Sequence, residues 1–201
     1  MSPSPSPLVA ALILAAGSSR RFGSDKRQAL IADGRRVLQS SCTNACQAFA
    51  DVRVVLREQD DAAALGLDPQ VRVVRSPQAD LGMGHSLASG VSALTDAPAE
   101  AVAILLADMP WLNPATLVAL AALAGPQRII VPMHEGQQGH PVIIGRHFWP
   151  QLQQLRGDRG AKALLAAHSE YCVRVETADR GILLDADTPA ALAQVLRDQT
   201  C

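Results

Sequence analysis

Two apolar runs, Leu8 to Leu14 and Ala101 to Ala107, constrain the fold of this 201-residue chain more than any other feature. A strand with one wet face alternates apolar and polar side chains. A strand covered on both faces reads as continuous Val, Ile, Leu and Ala, and such strands belong to parallel sheets packed between helices. The intervening segments agree with that architecture. Val37 to Ala50, Gln59 to Leu65, a stretch beginning near His85 and a stretch after Pro114 read as helices, while Val52 to Leu56, Val71 to Val74 and Arg128 to Val131 read as further strands. This βαβα order predicts an α/β fold, a doubly wound and mainly parallel mixed sheet with helices on both faces. Ligands of such sheets collect at the carboxyl ends of the strands. Val142 to Ile144, Tyr171 to Val175 and Ile182 to Leu184 are short and are predicted to add mixed or antiparallel strands around that edge. With 48% hydrophobic residues and neither a repeat nor a linker, residues 8–201 are expected to form one domain behind a disordered Ser/Pro tail, residues 1–7.

Charge and composition exclude several functions. A formal net charge of -1 and 3% aromatic residues leave neither the basic footprint nor the stacking surface of a nucleic-acid binder. No apolar stretch reaches the ~20 residues of a membrane span, and the first residues lack the basic region of a signal peptide, so a soluble cytoplasmic protein without membrane partners is expected. Cys42, Cys46, Cys172 and Cys201 form no C-x-x-C pair. Cys42 and Cys46, one helical turn apart, are expected to pack as small apolar residues on the inner face of a helix.

The first strand runs directly into LAAGSSRRFGSDK (Leu14 to Lys26), where small residues precede Arg20, Arg21 and Lys26. Gly17 and Gly23 would let backbone N–H groups approach phosphate oxygens while the cations offset their charge. The spacing is not that of a Walker A loop, and a polar, arginine-bearing turn serving solubility is the competing reading. The second buried run ends in Asp108-Met-Pro110. A carboxylate at such a place needs a partner, a metal, an arginine or a helix N-terminus; a Mg²⁺ ligand is the preferred reading and an Asp capping the following turn the competing one. Asp185 and Asp187 follow another short apolar segment and, two apart on extended chain, point the same way. One would complete a metal site while Asp187 or Thr188 caps a terminal helix starting near Pro189.

Three further segments are ambiguous alone. Leu81-Gly-Met-Gly-His-Ser86 opens a helix and is either a phosphate- or base-binding N-terminus or ordinary capping. Pro141 restricts His140 to extended backbone and would hold its imidazole in place, as a hydrogen-bonding residue or as part of a site. Asp158 suits a helix N-cap paired with Lys162. There is no G-x-S-x-G elbow and no cysteine with an activating partner, which fits phosphoryl or nucleotidyl transfer, where positioning and charge neutralisation dominate.

In order along the chain, LAAGSSRRFGSDK, GMGHSLASGV, LLADMP, GQQGHPVII, GDRGAKALL and GILLDADTP resemble the MobA-like nucleotidyltransferases, in particular their molybdenum cofactor cytidylyltransferase branch. The resemblance implies a glycosyltransferase type A-like sheet and transfer of a nucleoside monophosphate, CMP from CTP, to the terminal phosphate of molybdopterin cofactor with release of pyrophosphate. It further implies nucleotide contacts from Leu14, Ala15, Ala16, Gly17 and Ser86, catalytic roles for Arg20, Lys26 and Asp108, and Mg²⁺ on Asp108 with Asp185 or Asp187. His140 and Pro141 match the acceptor-facing G-H-P turn, and a molybdenum hydroxylase apoenzyme is the implied downstream partner. Phe22 stands where many relatives carry Met, and Asp25 where sugar-type relatives carry Pro. A non-catalytic cofactor carrier and a nicotinamide-dependent oxidoreductase of the same fold are the alternatives.

Overall fold

The computed structural model describes residues 8–17, 22–158, 160–188 and 192. At its centre β1 (Val9–Leu14) lies parallel to β2 (Asp51–Arg57) on one side and β4 (Ala101–Leu106) on the other, with β3 (Arg72–Ser76) parallel beyond β2. Past β4 comes β7 (Val142–Gly145), antiparallel to both β4 and β5 (Ile129–His134). β8 (Cys172–Glu176) runs parallel to β5, and β6 (Gln137–Gln138) forms a hairpin with the end of β5. Among the described strands the order is therefore β3-β2-β1-β4-β7-β5-β6 with β8 also on β5, the doubly wound mixed sheet that the apolar runs predict.

The side-chain alternation of β1 explains why it is apolar throughout. Ala11 and Ile13 face α1 (Val37–Ala48) and α3 (Pro114–Ala121), where Leu38, Cys42, Leu117 and Leu120 complete one core. Ala10 and Leu12 face α2 (Met83–Ser92), α4 (Trp149–Leu152) and α5 (Lys162–Ala167), in a second core with Leu87, Val91, Phe148 and Trp149. Removing such a Leu would leave a cavity costing about 2–5 kcal/mol. Gly90 marks the closest approach of α2 to β1, since a Cβ there would lie 2.5 Å from Leu12 Cδ2. Cys42 is buried on the inner face of α1, which pushes its thiol up to about 12, and Cys46 is half-buried beside it.

Three local expectations are corrected. Residues 59–65 form turns instead of a helix, because Asp60 Oδ2 accepts from Arg57 N and Asp61 Oδ1 accepts from Ala63 N and Ala64 N, so side chains take donors that a helix would use. Ile182 to Leu184 is not a strand. Arg180–Leu183 is a 3-10 turn, closed by Asp179 Oδ1 on Gly181 N. Asp158 does not cap α5, which begins behind Ala161 without a side-chain cap bond; instead Asp158 Oδ1 lies 2.6 Å from a Cβ built on Gly82. The tail, Cys201 and nearly all of the expected terminal helix lie outside the described residues, although Leu192 N donates to Thr188 O at 3.0 Å. No helix among the described residues is long and apolar enough to cross a membrane.

Candidate functional site

The carboxyl ends of β1 and β4 are adjacent, with Leu14 opposite Leu106, so the two segments that leave them open onto one edge. Asp108 is held there from both sides. Ser41 Oγ of α1 donates to Ala107 O at 3.0 Å, Asn44 Nδ2 donates to Pro110 O and Leu112 O at 2.9 Å, and Ala186 N donates to Asp108 O at 2.8 Å. That last bond draws the later acidic segment onto the first. Lys26 then closes the cluster, its Nζ donating to Asp108 Oδ2 at 2.5 Å and to Asp187 Oδ1 at 2.7 Å. Burial disfavours the Lys26 ammonium, yet the two carboxylates outweigh it and hold its pKa above the ordinary lysine value.

Two carboxylate oxygens converging on one cation form a donor set suited to a hard divalent ion, which takes one or two carboxylates and completes its shell with phosphate oxygens and water. Asp185 extends the negative charge. Its carboxyl is raised above the usual range by partial burial and by Asp187 and Asp108. Among the described residues no three His, Cys, Asp or Glu side chains form a metal cluster by themselves.

Behind the loop that leaves β1 stands a second charged group. Arg27, only 6% exposed, pairs with Asp25 at 2.8 Å and Asp60 at 2.6 Å and donates to Ala15 O at 2.9 Å. Arg57, at the end of β2, donates through Nε to Ala16 O at 3.0 Å and through a terminal nitrogen to Gly17 O. The carbonyls of three consecutive loop residues are thus taken by two guanidiniums. Among the described residues nothing lies within 4 Å of a Cβ built on Gly17, whose φ is not in the left-handed region, so neither packing nor backbone conformation within the described protein requires glycine there. Gly23, with φ +77°, does need it.

α2 brings its N-terminus to the same edge because it follows the carboxyl end of β3. Gly82 (φ +119°) starts it, pressed against Gly157 so that a Cβ would sit 2.4 Å from Gly157 C, and Gly84 N donates to Gly157 O at 2.8 Å. Ser86 lies in the first turn, 4% exposed. His140 reaches the edge because β7 is antiparallel: its first residue, Val142, pairs with Ile104 near the end of β4. His140 N donates to Ile182 O at 2.9 Å, the His140-Pro141 bond is cis, and His140 Nδ1 is buried without a hydrogen-bond partner among the described residues. Burial lowers the imidazole pKa despite the opposing influence of the Ile104 backbone and Asp108.

Of the residues singled out from sequence, the structure brings Lys26, Asp108 and Asp187 into direct contact, sets Asp185 and His140 beside them, and starts the Leu14–Gly17 loop on the adjacent strand. Arg20 and Arg21 lie outside the described residues. Ser41, Asn44, Arg27, Arg57 and Asp60 were not anticipated. Arg27 adjoins a recognised motif and offered a local signal; the others act across 33 to 68 residues of sequence or on backbone alone.

Residues 11–172 match the family model of the MobA-like NTP transferase domain. The chain is 32% identical over 202 residues to the purine catabolism protein PucB of Bacillus subtilis (strain 168), covering 96% of this chain and 98% of that protein. It is 26% identical over 180 residues to the molybdenum cofactor cytidylyltransferase of Escherichia coli (strain K12), covering 89% and 90%. Among solved structures, the Mycobacterium tuberculosis rv0371c homolog from Mycobacterium sp. strain JC1 superimposes with a TM-score of 0.82 at 26% identity over 96% of both chains.

Proposed function

The chain belongs to the MobA-like NTP transferase family, and from that premise we propose that it transfers CMP from CTP to the terminal phosphate of molybdopterin cofactor, releasing pyrophosphate. The observation that carries this reading is the meeting of Lys26, Asp108 and Asp187 at the carboxyl ends of β1 and β4, beside a loop whose carbonyls are turned inward. Likeness to a cytidylyltransferase and the Ala15-Ala16-Gly17 form of the loop favour cytosine as the base.

In this reading the acceptor phosphate, largely dianionic near neutrality, attacks the α-phosphorus of CTP in line. The bond from that phosphorus to the bridging oxygen breaks, and pyrophosphate departs with its electron pair. No protein nucleophile is required. Leu14 to Gly17 would line the nucleotide, with backbone N–H groups of the loop aimed at phosphate oxygens and Ser86 beside them. Lys26 would turn from its carboxylates to the triphosphate, and Arg20 would add a second cation. Asp108 with Asp187 or Asp185 would hold Mg²⁺, which supplies charge neutralisation at the phosphates. His140, whose imidazole pKa burial lowers, and Pro141 would face the acceptor.

The test is pyrophosphate release with Mg²⁺ and molybdopterin cofactor, comparing CTP with GTP and ATP and omitting the acceptor as control. Acceptor-dependent release with a preference for CTP is expected. Preference for another nucleotide would overturn the base assignment, and absence of release with every nucleotide would overturn the reaction.

A further inference from the structure

We propose that Arg57 and Arg27, locked together by Asp60, are positioning residues that hold the Leu14–Gly17 loop in its phosphate-receiving orientation; this rests on the nucleotide reading of that loop. A peptide unit carries its N–H and C=O in opposite directions. Fixing the carbonyls of consecutive residues on one side therefore presents the intervening amide protons on the other, and an array of such protons is what recognises a phosphate. Here the fixing is complete over three residues: Arg27 takes Ala15 O, and Arg57 takes Ala16 O and Gly17 O.

The two guanidiniums are not independent. Asp60 accepts from the Arg27 guanidinium through both oxygens, at 2.6 and 2.9 Å, and from the backbone Arg57 N at 3.0 Å, so one carboxylate holds the first guanidinium and the backbone from which the second extends. A further layer steadies that carboxylate, since Arg75 Nη1 donates to Arg57 O at 2.8 Å and Asp60 O at 2.6 Å. Backbone packing alone does not require this investment. Two arginines bond one short loop and a third braces them from behind, while a Cβ built on Gly17 meets no described atom within 4 Å. Arginine is the residue for this task because its planar fork reaches two carbonyls at once, which a lysine ammonium on a flexible stem does with less definition. Arg27 and Arg57 also remain behind the loop, and their charge falls on the carbonyl side.

The experiment measures binding of CTP and of inorganic tripolyphosphate, each with Mg²⁺, to the full chain by calorimetry. The variants are Arg57→Gln, Arg57→Lys and, as a control at the opposite end of β2, Arg53→Gln. Arg57→Gln is expected to weaken both ligands by about tenfold or more, with Arg53→Gln unchanged. Arg57→Lys retains the charge and loses the fork, so it should remain weakened. Wild-type affinity in Arg57→Lys would mean that Arg57 acts by charge alone and would overturn the positioning role, as would undiminished binding in Arg57→Gln. Should Arg57→Gln fail to fold, the exposed Arg75→Gln stands in, and affinity within twofold of wild type would overturn the proposal. Failure of the wild-type protein to bind either ligand is a separate result, which removes the nucleotide reading itself.

Discussion

Lys26 and Arg27 are neighbours in sequence, each bonded to two aspartates, and they create opposite kinds of site. The Arg27 side chain and its partner Asp60 are 8% and 9% exposed, and the guanidinium satisfies both carboxylates and a carbonyl with matching geometry. Nothing remains for a ligand to take. Lys26 meets Asp108 and Asp187 through single oxygens, and the Asp187 side chain is 34% exposed. An ammonium on a flexible stem can be exchanged for another cation, whereas a forked guanidinium buried between two carboxylates is fixed. Adjacent charges thus divide the work: one anchors the loop from behind, and the other faces the open edge.

Substitutions can break this division, and the largest effect belongs to the open side. Asp108→Asn should lower turnover by roughly 10²–10³-fold, while the thermal midpoint moves by less than ~4 °C. Near-normal pyrophosphate release would remove Asp108 from the reaction. On the closed side, Arg27→Met leaves Asp60 buried without its partner and should cost about 3–5 kcal/mol of stability, read from urea unfolding. Adding Asp60→Asn should recover part of that loss. A loss below ~1 kcal/mol would show that water reaches Asp60 and that the two sites differ less than their geometry states.

Lys26→Gln sharpens the comparison in both directions. Triphosphate affinity should fall by about tenfold, while Mn²⁺ measured alone by paramagnetic resonance should bind more tightly, because the Lys26 ammonium no longer competes for Asp108 and Asp187. Weaker Mn²⁺ binding would contradict the exchange. The smallest effect is the acid limit of the closed side. The Arg27 hydrogen bond depresses Asp25, and at Asp60 bonding to Arg27 and to the Arg57 backbone overcomes the opposing effect of burial. Carboxyls lowered by folding stabilise the protein above their unfolded pKa of about 3.9, and that contribution disappears as pH falls through the folded values. Stability should therefore drop below pH ~4, and Asp60→Asn should flatten that slope.

The sheet was legible because β1 and β4 are apolar on both faces, which requires covering layers whatever the rest of the chain does. Asp108 was legible for the same reason, as a charge at the end of a buried strand. The Asp187 contact was legible only as a choice between two carboxylates, since the Ala186 N bond to Asp108 O that sets the register of the segment leaves no trace in side-chain pattern. Gln59 to Leu65 was misread because Asp60 and Asp61 spend their oxygens on local N–H groups, and Asp60 serves Arg27 besides. A residue of that kind reads as a turn former in sequence and reveals its partner only once the chain has closed over 33 residues.

The reversal of β7 has an evolutionary side. Because this strand enters the sheet from the edge where Asp108 emerges, the residues ahead of it, Gly139 to Pro141, reach that edge from the β5–β6 hairpin instead of as part of the winding that builds β1 to β4. The chain up to Asp108 and the chain from β5 onward meet at one edge as two separately editable stretches. A lineage could lengthen, shorten or rewrite the later hairpin and so change what is presented opposite the first loop, while the inherited β1–β4 frame and its arginine backing stay intact.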